Sequence, residues 1–70
     1  MKISAVTNGD ATCILAADEL RFLCNAVNET LEALEHWEFE TRTGKTRAFA
    51  SSLQEQLNRT LSAIAATPNG

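Results

Sequence analysis

Apolar residues follow two different rhythms along this chain of 70 residues. Over residues 2–15, Ile3, Val6 and Thr7 lie before Asn8-Gly9, and the run Ala11 to Leu15 lies after it. Asn-Gly is the strongest short hairpin signal, because a type I′ turn needs positive φ at both central residues. Two strands over 2–15 are therefore expected. A lone two-stranded hairpin is barely stable in water, so one face is expected to lie on another element.

After Ala16 the period lengthens to that of a helix. Leu20, Leu23, Cys24, Val27, Leu31 and Leu34 recur at spacings of three and four, which predicts a helix over 17–36. Asp18 and Glu19 put negative charge in its first turn, where the helix dipole favours it. Phe49, Leu53, Leu57, Leu61 and Ile64 form a second stripe, predicting a helix over 46–66 with Thr46 as its N-cap. Pro68 then stops it, and 67–70 is expected to be a frayed tail. The stretch between the helices, His36-Trp37-Glu38-Phe39-Glu40-Thr41, alternates aromatic and acidic residues. It reads either as an extended end or as helix carried to Thr43, with Gly44 as a left-handed cap. The short connection makes the helices antiparallel neighbours. The expected fold class is α+β: a short N-terminal β-hairpin followed by an antiparallel αα-hairpin, one small domain over 1–66. The hairpin is expected to cover one side of the helix pair.

Composition narrows the class of function. At 44% hydrophobic, the chain is apolar enough for a globular domain. A domain this size buries only about 60% of its unfolded surface, so a second subunit, a homodimer, is expected to help. No run approaches the roughly 20 apolar residues of a membrane span, and the N-terminus turns polar too soon for a signal peptide. A cytoplasmic location follows as an expectation. The net charge of −3 argues against nucleic acid as a partner. That charge is unevenly sorted: residues 1–40 carry −6 and residues 41–70 carry +3. Glu29, Glu32, Glu35, Glu38 and Glu40 crowd the end of the first helix, and Arg42, Lys45 and Arg47 follow immediately.

Few constellations offer chemistry. Cys13 and Cys24 lack a CxxC spacing and are expected to be small buried hydrophobes. Thr43-Gly44-Lys45-Thr46 ends like a phosphate-binding loop, but the required earlier glycine is Phe39 here. Glu29, Glu32 and His36 share a face of the predicted helix without a further ligand or supporting shell, so no metal is expected. With one histidine and no pocket-sized domain, the chain is read as a non-enzyme without cofactors. Asn25 and Asn28 either hydrogen-bond to the Arg42 loop or lie exposed. Trp37 and Phe39 either close the bottom of the core or anchor an interface.

The stretch Leu23 to Leu31, then Trp37-Glu38-Phe39-Glu40-Thr41-Arg42-Thr43-Gly44 and Thr46-Arg47, resembles short bacterial proteins with an asparagine-bearing leucine-rich helix and an "EFxTRTG" turn. Some of these are described as immunity proteins of polymorphic toxin systems. The resemblance covers roughly residues 20 to 57. It departs at Ala48-Phe49, where the pattern has acidic residues that would complete a capping box. It implies a small protein that binds another protein, such as a basic toxin or nuclease. An acidic helix ridge suits that role by steering a basic partner. The contact residues expected are Glu29, Glu32, Glu35, Trp37 and Glu38, with Arg42 fixing the turn.

Overall fold

A computed structural model describes residues 1–66. The order is β1 (Lys2–Thr7), β2 (Asp10–Ile14), α1 (Ala17–Ala33), α2 (His36–Thr43) and α3 (Arg47–Ala66). The α+β reading and the hairpin hold. Asn8 and Gly9 both have positive φ, 27° and 87°, as the two-residue turn requires. The frayed tail expected at 67–70 lies outside the described residues.

Two expectations fail. The first helix does not run to His36: it stops at Ala33, and a separate helix, α2, begins at His36. The extended reading of 36–41 is likewise overturned. Leu34 and Glu35 take extended conformations between the helices, with ψ of 136° and 153°. The chain restarts as a helix because the Glu38 carboxylate accepts a 2.9 Å hydrogen bond from the Glu35 amide. This satisfies a donor that α2 leaves unpaired at its start. Gly44, at φ 81°, ends α2 in the left-handed conformation, and its amide donates to the Glu40 carbonyl at 2.8 Å.

The second failure concerns the hairpin, which does not cover the helix pair. Every residue of both strands is exposed. Only Leu15 and Ala16 separate β2 from α1, and Ala16 is extended at φ −72°, ψ 160°. With Ala16 extended, the connection carries the strand onward into the helix and away from the helix pair. The molecule is accordingly long and thin, 46 × 30 × 16 Å.

The core therefore lies among the helices alone. Leu20 and Cys24 of α1 and Phe39 of α2 are its buried hydrophobic residues. The helix pair that packs is α1 with α3. Its antiparallel sense follows from cross-contacts, Asn28 to Gln54 near the middle and Leu31 to Arg47 at one end. Thr46 begins α3 as expected: its hydroxyl accepts from the Phe49 amide at 3.2 Å.

One side chain closes the break after α1. Arg47 donates to the Leu31 carbonyl at 2.7 Å and to the Leu34 carbonyl at 3.2 Å. Its guanidinium also lies over the Phe39 ring, 5.1 Å from the centroid. The Leu31 carbonyl would have paired with the Glu35 amide had the helix continued. Arg47 supplies the missing donor and a positive charge at the negative end of the α1 dipole. Arg47→Ala leaves these part-buried carbonyls unpaired and is expected to cost about 2–3 kcal/mol in urea unfolding. Arg47→Lys, which loses the two-pronged geometry, should recover only part of that. Full stability in Arg47→Ala would show that the closure at this break is not what holds α1 to α3.

Candidate partner-binding surface

The break at Leu34 and Glu35 redistributes the predicted contact residues. Glu29 and Glu32 stand exposed on α1. Taking 100° per residue, they fall near Asn25 on the flank turned away from Leu20 and Cys24. No ion pair involves them among the described residues. Glu35 caps the start of α2, and Glu38 is occupied twice, by the Glu35 amide and by Arg42 Nε at 3.3 Å. The continuous acidic ridge is thus divided: two glutamates face water on α1, while Glu38 serves the local structure of α2. Arg42 pairs along its own helix, and the residue that fixes the turn is Arg47.

Trp37 and Phe39 receive opposite roles. Two residues apart on a strand they would share a face, but in a helix they point about 200° apart. Phe39 is 2% exposed and Trp37 is 79% exposed. Of the two readings of this pair, core applies to Phe39, and Trp37 is left standing in water. Its position, one residue into α2, puts it where α1 hands over to the next helix.

Other candidates resolve individually. His36 opens α2, so it no longer shares a helical face with Glu29 and Glu32. Among the described residues no group of three His, Cys, Asp or Glu converges as for a metal ion. Cys24 is buried, whereas Cys13 is exposed on β2, which corrects the expectation that both are interior. Asn28 turns to Gln54 Nε2 at 3.4 Å and not to the Arg42 loop; Asn25 lies exposed. The Gly44-Lys45 step joins two helices and does not follow a strand. There the Thr43 hydroxyl donates to the Phe39 carbonyl at 2.8 Å and accepts from the Lys45 amide at 3.2 Å. No described helix is long and apolar enough to cross a membrane.

A second surface was not anticipated from sequence. Leu23, Val27, Phe39, Phe49 and Leu53 line a shallow groove between α1, α2 and the start of α3, with a volume of about 260 Å³. Its lining is almost wholly carbon, with Lys45 at its edge over the Phe49 ring. Phe49 and Leu53, both in the apolar stripe of α3, are 51% and 39% exposed. The α3 stripe is wider than the α1 surface that meets it.

No protein-family model matches the chain, and no match to it is found among the curated proteins or the solved structures.

Electrostatics concentrate at the start of α1. The Met1 amino group pairs with the Glu19 carboxylate, which also accepts from the Ala16 amide at 2.9 Å. The ammonium hydrogen bond, then the amide bond, hold the Glu19 carboxyl below its usual pKa against a small opposing effect of burial. A carboxyl depressed in the folded state stabilises fully above its unfolded pKa and loses that contribution as pH falls through its folded value. The protection of the β1 amides, taken relative to the exchange rate of an unstructured chain at the same pH, is therefore expected to fall as the pH drops through the carboxylate range. Glu19→Gln should remove this acid dependence; an unchanged profile would place the cause elsewhere.

Proposed function

We propose that this chain is a small non-enzymatic protein-binding protein, of the inhibitor or immunity type. It engages a basic partner through Trp37 and the acidic flank of α1. The observation that carries this reading is Trp37, a large aromatic residue that is 79% exposed. Trp costs little conformational entropy to order and buries a large area, so it is favoured as an interface anchor. Nothing in the packing of α2 calls for it, because Phe39 already supplies the buried aromatic. Glu29 and Glu32 add unpaired negative charge on the neighbouring helix, which speeds encounter with a positively charged surface more than it tightens the final complex. The chain's net charge of −3 acts in the same direction.

Capture from a lysate of the native host on the tagged chain, with stepwise elution by salt, should retain a basic protein. Against that protein once purified, Trp37→Ala is expected to weaken affinity about thirtyfold, an anchor-sized loss. Glu29→Lys with Glu32→Lys should chiefly slow association and flatten its salt dependence. Equal retention by the native chain and both variants would remove this surface from the binding site.

A further inference from the structure

The hairpin has one wholly apolar face, created by an irregularity in its register. Ile3 pairs with Cys13 and Val6 with Ala11, and the register slips between Ile3 and Ala5. Side chains alternate along a strand, and paired residues point to the same side. Ile3 and Val6, three apart, would lie on opposite faces of a regular strand. Ser4 is the extra residue that brings them together, and its hydroxyl donates to the Thr12 carbonyl at 3.1 Å. Ile3, Val6, Ala11 and Cys13 therefore form one face, while Lys2, Ala5, Thr7, Asp10, Thr12 and Ile14 form the other, mostly polar one. On the apolar face, Ile3 is 51% and Val6 73% exposed, and Cys13 is exposed as well.

This face and the α1–α3 groove are both uncovered, since every strand residue is exposed and the extended Ala16 leads the hairpin away from its own helices. A compact monomer of 7.6 kDa exposes about 4,300 Å², whereas this chain exposes 5559 Å². The four residues after Ala66 account for no more than about 540 Å² of that total whatever their conformation. The remaining excess, about 700 Å² or more, is close to the roughly 800 Å² that each partner contributes to a standard interface. The Cα radius of gyration agrees: 14.1 Å, against about 11 Å for a compact chain of this length.

We infer that two copies of this chain form a reciprocal dimer, in which the Ile3, Val6, Ala11 and Cys13 face of each hairpin lies on the other copy's α1–α3 groove. The shapes suit each other. The groove is concave and lined by Leu23, Val27, Phe49 and Leu53, and the hairpin presents two branched aliphatic side chains. The arrangement is two-fold and closes on itself, so it ends at a dimer. It also gives the hairpin the packing that a two-stranded sheet needs. Trp37 takes no part, so this inference stands apart from the partner surface described above.

Sedimentation equilibrium of the purified chain, from low micromolar to submillimolar concentration, tests it without any partner. The native chain should sediment at twice 7.6 kDa. Val6→Glu and Phe49→Glu should each weaken dimerisation at least about a hundredfold, because each buries a charge in both halves of the interface. Mixed together they should form a heavier species than either alone, since one hairpin and one groove remain intact in the pair. Thr12→Glu, on the polar face, should leave the mass unchanged, as should Trp37→Ala. A native chain that stays at single-chain mass at submillimolar concentration overturns the dimer. A Phe49→Glu variant that remains dimeric beside a monomeric Val6→Glu variant overturns the reciprocal arrangement in favour of hairpin against hairpin. Circular dichroism of each variant identifies any that is monomeric only because it has unfolded, and the native mass still decides the dimer.

Discussion

The guanidinium of Arg47 ties three elements together at one point, where α1 ends, α2 turns and α3 begins. It sits in the first turn of α3, reaches the carbonyls freed at the end of α1, and lies over the one fully buried aromatic ring of α2. A helix that ends inside a small domain leaves carbonyls that water cannot always reach, and each must find a donor. Arg can offer several donors in a fixed plane and still present its apolar face to a ring, which Lys cannot. With that closure in place, α2 can turn away from the α1 axis and bring Phe39 inward.

The same turn determines what α2 shows to water. Once Phe39 is fixed in the interior, helical geometry sends Trp37 to the opposite side of α2, into water. The surface proposed for partner binding is thus a consequence of the break at Leu34 and Glu35. A continuous helix would instead have aligned more of the glutamates in one ridge. The structure has fewer free acidic groups than that ridge, and gains an exposed aromatic residue on the helix that follows.

A thin core is the other consequence. Three buried hydrophobic residues among those described are a small interior for a chain in which 44% of residues are hydrophobic. Part of the surplus lies in two faces, one on the hairpin and one between the helices, which the described fold keeps apart. Apolar area of that size, left in water, is unfavourable by the same effect that drives folding. Association is the ordinary way a small domain resolves it.

The sequence by itself determined the local elements. Asn8-Gly9 specified the turn because few other residue pairs accept positive φ twice, and the spacings of Leu20 to Leu31 and Phe49 to Leu61 specified helices because only one period places them on a single face. Thr46, Gly44 and the Glu38–Arg42 pair acted within four residues of their partners, so they too were legible. Arg47 was not, since in sequence it is only the last of three basic residues that follow the acidic run. A clue existed: a basic residue in the first turn of a helix opposes the dipole there, so its side chain has reason to bond elsewhere. The end of α1 at Ala33 was hidden because Leu34 continues the apolar period while the carbonyls behind it are satisfied from residue 47. The opposite fates of Trp37 and Phe39, the exposure of Cys13 and the detached hairpin were decided only by the tertiary structure. Each depends on how far a connection reaches or which way an element turns, and those are properties of the assembled chain, not of any short window along it.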